Sequence, residues 1–146
     1  MEKKITVVTG TVGQDSHVIG IKILSRFLKD EGFNVVELGG LTQPEEFIKA
    51  AQETAADAIL VSSLYGMAEL DLVGFKDKCV EAGLGDVLLY LGGNLAVGRH
   101  NFEDDEQKFK TMGFDRVYPS EVDLAAVVSD LKNDLKAKAK QQNITL

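Results

Sequence analysis

Ile5-Thr6-Val7-Val8-Thr9-Gly10-Thr11-Val12-Gly13-Gln14-Asp15-Ser16-His17-Val18-Ile19-Gly20 passes from a β-branched run, through a glycine-rich turn, into the start of a helix-like segment. The run is apolar on both faces, as a strand buried inside a parallel sheet must be. A buried strand that feeds a helix is the first unit of a β–α chain, and the rest of the sequence repeats it. The turn itself carries an unusual pair, because Asp15 stands just ahead of His17. That spacing suits a metal-ligating ring oriented by a carboxylate. Flanking glycines let a bulky ligand approach the backbone closely. Taken alone, a histidine in a loop is more often plain polar surface.

Outward from this turn, the first strand is expected at about Lys4 to Thr9. The helix after His17 carries Ile21, Leu24, Phe27 and Leu28 at helical spacing. It stops at Gly32, where a left-handed cap lets Phe33 pack back. Asn34 to Leu38 is the second strand. Thr42-Gln43-Pro44-Glu45 reads as a capping box, with Thr42 as N-cap, Glu45 reaching back and Pro44 in the first turn. That second helix should bury Phe47, Ile48, Ala51 and Ala55. Ala58 to Ser62 is the third strand and ends in Ser63-Leu64-Tyr65-Gly66. A third helix spans about Ala68 to Ala82, with Leu72, Phe75 and Cys79 on one side, and Gly83-Leu84 repeats the glycine stop. Val87 to Leu91, the most apolar strand, ends at Gly92-Gly93-Asn94. A fourth helix near Phe102 to Met112 ends on Gly113-Phe114, and Arg116 to Tyr118 is a short last strand. Ser120-Glu121-Val122-Asp123 opens a final helix with Leu124, Val127, Val128, Leu131 and Leu135 along one stripe. Periodicity is lost beyond Lys138, so residues 1–138 read as one domain and residues 139–146 as a frayed tail.

Strict alternation of strand and helix with short links predicts an α/β fold, a doubly wound parallel sheet covered on both faces. Five such units favour the flavodoxin-like strand order 2-1-3-4-5. Ligands in these sheets sit beyond the carboxyl ends of the strands, near the point where strand order reverses. The loops after the first, third and fourth strands are neighbours there. They hold Asp15 and His17, then Ser62 and Leu64, then Gly92, Gly93 and Asn94.

The 146 residues fit one core. A formal charge of −7 argues against a nucleic-acid partner. No apolar run approaches the ~20 residues that span a bilayer, so no membrane partner is expected. Met1-Glu2-Lys3-Lys4 carries no signal-peptide pattern, and the single cysteine, Cys79, agrees with a reducing cytoplasm. Cys79 reads as a core filler, His100 as surface, and Lys132, Lys136, Lys138 and Lys140 as a solvated helix end. Tyr65, Met67, Glu69 and Asp71 lie beyond the third strand, where a partner chain could meet them. A flavodoxin-type phosphate loop would give His17 no role. A phosphorelay receiver would need an aspartate where Ser62-Ser63 stands.

Asp15-x-His17-x-x-Gly20, Ser62-x-Leu64 and Gly92-Gly93 together resemble the signature of cobalamin-binding domains that hold the cofactor base-off with a histidine as lower ligand. The gaps between the three elements fit that family too. Within it the chain most resembles the small, cobalamin-binding subunits of glutamate (methylaspartate) mutases, including Val61-Ser62-Ser63-Leu64-Tyr65-Gly66 and Lys110-Thr111-Met112-Gly113-Phe114-Asp115-Arg116-Val117-Tyr118-Pro119. The resemblance implies that His17 coordinates cobalt in place of dimethylbenzimidazole, while Asp15 accepts the other ring N–H. The displaced nucleotide tail would lie between the third and fourth strand ends. Ser62 would hydrogen-bond the base, Leu64 would pack on it, and Gly92 and Gly93 would leave room. Gln14, Ser16 and Val18 share the ligand loop, with backbone contact expected at Ser16, and Gly20 would keep the helix start open. Ser63 stands beside the tail, and Asn94, Leu95, Ala96, Val97 and Gly98 would line it farther out.

The same resemblance implies adenosylcobalamin as cofactor, no catalytic residue in this chain, and radical interconversion of L-glutamate and threo-3-methylaspartate. It implies a large barrel subunit as catalytic partner in a heterotetramer, sharing the small-molecule substrate. The chain alone should be inactive. Two related readings stay open. One is a methyl-carrying corrinoid module, whose extra helical segment would have to precede a strand that here begins at about Lys4. The other is the cobalamin subunit of a related carbon-skeleton mutase.

Overall fold

A computed structural model describes residues 5–12, 19–63, 72–93, 102–119 and 123–141. Strands and helices alternate as β1 (Thr6–Thr11), α1 (Ile19–Asp30), β2 (Asn34–Glu37), α2 (Pro44–Thr54), β3 (Ala58–Ser63), α3 (Phe75–Glu81), β4 (Leu88–Gly93), α4 (Phe102–Thr111), β5 (Arg116–Tyr118) and α5 (Leu124–Gln141). The five strands form one sheet in the order β2-β1-β3-β4-β5, every pair parallel. This is the order expected from the sequence. It follows from right-handed crossovers that place helices on both faces. β1, β3 and β4 run farther than their apolar cores suggested, to Thr11, Ser63 and Gly93. The extra residues are polar or glycine, and the sheet carries them to its carboxyl edge.

Two apolar clusters sandwich the sheet. One gathers Phe47 of α2, Phe75 and Cys79 of α3 and Phe109 of α4 against Val8, Ile59, Leu89 and Leu91. The Phe75 ring meets Phe47 edge-on at 6.3 Å and stacks on Phe114 at 6.1 Å. The other packs Leu24 and Leu28 of α1 and Val127, Leu131 and Leu135 of α5 on Val7, Leu60 and Tyr90. Cys79 is fully buried, and burial pushes its thiol up to about 11. No helix among the described residues is long and apolar enough to cross a membrane.

The glycine stops form as expected. Gly32, Gly83 and Gly113 are left-handed, at φ of 94°, 82° and 113°. The next N–H turns back onto the helix in each case, from Phe33 to Leu28 O at 3.0 Å, Leu84 to Cys79 O at 2.8 Å and Phe114 to Phe109 O at 3.1 Å. A fourth stop of the same kind uses alanine: Ala55 has φ 52°, and Ala56 N–H reaches Ala51 O at 3.0 Å. Ala55 is therefore exposed at the cap, and Ala56 is buried in its place.

Three local expectations shift. The N-cap of α2 is Gln43, whose N–H donates to Glu46 Oε2 at 3.3 Å, one position later than the expected Thr42–Glu45 box. Thr42 is buried instead. Its N–H donates to Thr11 O at 2.9 Å and its hydroxyl to Gly39 O at 3.1 Å, which ties the loop after β2 to the end of β1. Phe27 is 42% exposed; on α1 it is Ser25 that turns inward, its hydroxyl 2.8 Å from that of Thr9. α5 continues past Lys138 to Gln141, opened by Asp123, whose Oδ1 accepts Ala125 N–H at 3.0 Å. The third helix starts later than expected, at Phe75: residues 72–74 form a turn that ends on the left-handed cap Gly74 (φ 73°), while residues 68–71, and residues 120–122 before the last helix, lie outside the described residues.

Candidate functional site

Strand register lines up Thr11, Ser62, Gly92 and Tyr118 side by side across β1, β3, β4 and β5 at the carboxyl edge. Residues in such a row share one face of the sheet. Here it is the face covered by α1 and α5. Between these helices a cleft of about 110 Å³ opens over the row. Its lining includes Ser62, Tyr90 and Gly92 from the sheet, Leu24 from α1 and Val127 from α5. A Cβ on Gly92 would meet nothing closer than 3.7 Å, so the missing side chain enlarges the cleft without being demanded by packing. Gly93 differs: its φ of 110° is a conformation that side-chain-bearing residues rarely adopt.

The cleft has a polar frame behind it. Tyr90 and Tyr118, with ring centroids 5.8 Å apart, both line the cleft and both point their hydroxyls at α5. Tyr90 donates to Asp134, and Tyr118 donates to Asp130 Oδ2 at 2.8 Å. Arg116 of β5 joins the two carboxylates. Its Nε and Nη2 lie 2.7 and 3.0 Å from the oxygens of Asp134, and its Nη1 lies 3.5 Å from Asp130. The bidentate Arg116 bond, helped by the Tyr90 hydroxyl and opposed by burial, holds the Asp134 carboxyl below its usual 3.8. Burial, followed by the adjoining carboxylate, pushes both phenols above their ordinary value.

A consequence for stability follows from the direction of the Asp134 shift. The unfolded chain takes up this proton before the folded chain does. The contribution of Asp134 is therefore complete above the ordinary carboxylate range and fades as pH falls through it and through the lowered native value. Its side chain is only 23% exposed, so solvent screens the pair weakly. Asp134→Asn is expected to cost ~1.5–3 kcal/mol at neutral pH, the range for a charge-assisted hydrogen bond. It should also flatten the acid limb of the stability profile. Urea unfolding between about pH 7 and pH 3 measures both, and an unchanged acid limb would show that other groups carry it.

The pattern of the B12 binding domain family matches residues 5–113. The chain belongs to that family. Over 138 residues it is 52% identical to the glutamate mutase sigma subunit of Clostridium tetani, covering 94% of this chain and all of that one. It is 53% identical over 135 residues to the glutamate mutase sigma subunit of Clostridium cochlearium, covering 92% of this chain and 98% of the relative. In fold it is similar to a cobalamin-binding protein from Desulfitobacterium hafniense, with a TM-score of 0.70 and 23% identity. That match covers 90% of this chain, which spans 59% of the other.

The cleft and its surroundings fit the nucleotide tail of a B12 cofactor. The cleft is mainly apolar with a hydroxyl and a bare glycine at its mouth, a shape suited to a flat base with one hydrogen-bonding edge. At the same sheet edge, Thr11 Oγ1 on the cleft's face and Ser63 Oγ on the opposite face are fully buried and have no hydrogen-bond partner among the described residues. An unsatisfied buried hydroxyl costs roughly 1–3 kcal/mol, so an edge that keeps a pair of them is prepared for further polar contacts.

Of the residues singled out in the sequence of this B12-binding chain, Ser62, Ser63, Gly92 and Gly93 are together at the ends of β3 and β4. Ser62 and Gly92 face the cleft, whereas alternation puts Ser63 on the opposite face. Gly20 lies in the first turn of α1. Gln14, Asp15, Ser16, His17, Val18 and Leu64 lie outside the described residues, as do Asn94, Leu95, Ala96, Val97 and Gly98, and also Tyr65, Met67, Glu69, Asp71 and His100. Sequence reasoning missed Tyr90, Arg116, Asp130 and Asp134. The available signals were a tyrosine inside the aliphatic run Leu88-Leu89-Tyr90-Leu91 and two aspartates a helical turn apart beside the stripe of α5.

Proposed function

We propose that this chain is the cobalamin-holding subunit of an adenosylcobalamin-dependent glutamate mutase, which interconverts L-glutamate and threo-3-methylaspartate. The observation that carries the proposal is the likeness to glutamate mutase sigma subunits over nearly the whole of both chains. Adenosylcobalamin, when bound, supplies the organic radical that lets a carbon skeleton rearrange. The work of this chain is to bind, orient and shield. The cleft between α1 and α5 takes the nucleotide tail, with the Ser62 hydroxyl on the edge of the base and apolar walls excluding water. His17 serves as the lower ligand and Asp15 holds its ring. Gln14, Ser16, Val18 and Leu64 line the approach, with Asn94, Leu95, Ala96, Val97 and Gly98 along the outer tail. A larger catalytic chain, a barrel that holds the substrate, closes the other side of the cofactor in a heterotetramer. A cytoplasmic setting accords with the lone buried Cys79.

Mixing the purified chain with a glutamate mutase large subunit, adenosylcobalamin and L-glutamate is expected to yield methylaspartate, while either protein alone yields none. Turnover by the single chain would overturn the division of labour, because radical intermediates need a closed site. Cobalamin binding without turnover in the mixed sample would overturn the choice of substrate.

A further inference from the structure

We infer that Arg116, Asp130 and Asp134 form a positioning device that fixes the width of the nucleotide-tail cleft, and through it the preference of this chain for corrinoids that carry a tail. The inference rests on the tail-in-cleft reading above.

Four observations lead to it. First, the side chains that shape the cleft nearest the sheet are the rings of Tyr90 and Tyr118, and neither ring is held by packing alone. Each carries a hydroxyl that must find an acceptor, and each finds one on α5. Second, α5 also supplies the far wall of the cleft through Leu124 and Val127. The same helix therefore sets both the ring positions and the wall that faces α1. Third, Asp130 and Asp134 lie one helical turn apart on α5, where like charges repel. Arg116 lies between them and bonds both, so it makes the pair tolerable and anchors α5 to β5. Fourth, β5 is an edge strand of only three residues, with Arg116 at its first position and Tyr118 at its last. So short an edge strand gives α5 few backbone contacts, so the polar bonds of Arg116 and the tyrosines join its buried apolar stripe in setting the spacing at this end.

The planar fork of Arg116 matters in this arrangement. Its Nε and Nη2 grip Asp134 in parallel while Nη1 faces Asp130. A lysine offers a point charge and cannot serve both carboxylates in fixed geometry. Loss of the fork frees α5 to shift, lets the tyrosine rings turn, and alters the slot in which a flat base must fit. A corrinoid without a tail puts nothing into this slot, so it should not sense the change. That asymmetry separates a positioning role from general stabilisation.

The test uses the full-length chain, titrated by visible absorbance with aquocobalamin and with diaquocobinamide, which lacks the nucleotide tail. Wild type is expected to prefer aquocobalamin. Arg116→Lys and Asp130→Asn should each reduce that preference by about tenfold, a change of ~1.4 kcal/mol in relative affinity, while affinity for diaquocobinamide stays as in wild type. Asp130→Asn keeps the shape of the side chain and an oxygen for the Tyr118 hydroxyl, so it serves if the arginine variant fails to fold. Asp130→Glu should restore part of the preference. Folded variants that keep the full wild-type preference would overturn the positioning role and leave the tail-in-cleft reading intact. Equal affinity of wild type for the two corrinoids would overturn both.

Discussion

Gly92→Val is expected to weaken cobalamin binding by roughly two orders of magnitude or more in a chain that still folds. The strand accepts the substitution, because a Cβ at Gly92 meets only Tyr118 Cβ at 3.7 Å and Tyr118 O at 3.8 Å, ordinary van der Waals distances. The backbone there is not left-handed, and valine suits a parallel strand. The cleft does not accept it. Ser62 and Gly92 are register partners that both line it, and a branched side chain would fill space that the proposed tail needs. Overpacking typically costs ~1–3 kcal/mol, and the buried contacts of the tail are lost besides. A fall in affinity of roughly a hundredfold or more follows. Gly92→Ala should fall between, and Ser62→Ala should lose only one hydrogen bond, about 0.5–1.5 kcal/mol. Gly93→Val is a poorer probe, since at φ 110° the backbone itself is strained by any side chain. Spectral titration with aquocobalamin reads the affinity and circular dichroism the fold. Wild-type affinity in folded Gly92→Val would put the tail elsewhere.

The same contrast shows what the sequence made legible. Gly92-Gly93 stands out in any reading, but which glycine faces the ligand depends on the pleat, and the pleat depends on register with β3 and β5. Strand order was readable because five apolar runs alternate with helices, and each helix stop that used glycine announced itself. The stop at Ala55 did not, since alanine carries no sign of a left-handed backbone. Thr42 looked like a cap because the capping pattern is local. Its actual partners, Thr11 and Gly39, come from the meeting of β1 and the loop after β2. Phe27 matched the helical period yet stayed exposed, because Ser25 met Thr9 across the interface. The frame behind the cleft was the least legible part. Tyr90 and Asp134 are 44 positions apart, and only the crossing of α5 over β4 makes them partners. Polar residues near an apolar stripe look like solvated surface until the fold brings a matching group opposite them.

His17→Ala is expected to reduce mutase turnover of the assembled enzyme far more than it reduces cofactor binding. β1 ends at Thr11, Val12 bridges to Thr42, and α1 begins at Ile19, so residues 13–18 join strand to helix beside the point where strand order reverses. On the proposed function, binding has two separable parts, a tail held by the cleft and a metal held by the His17 ring. Removing the ring leaves the tail contacts, so the His17→Ala chain should still take up cobalamin, with lower affinity. Asp15→Asn leaves a ring with a weaker partner and should cost ~10–100-fold, the range for groups that orient a metal ligand. His17→Ala should exceed that loss. Electron paramagnetic resonance of the cobalt(II) form, with the protein labelled at histidine nitrogen, supplies a readout independent of turnover. Wild type should show coupling to protein nitrogen, which Asp15→Asn keeps and His17→Ala lacks. Folded Gly92→Val should show little, because at cofactor concentrations that saturate wild type it takes up little cofactor. Coupling in wild type to dimethylbenzimidazole nitrogen alone would mean that the tail never leaves the metal, and the cleft between α1 and α5 would then need another occupant.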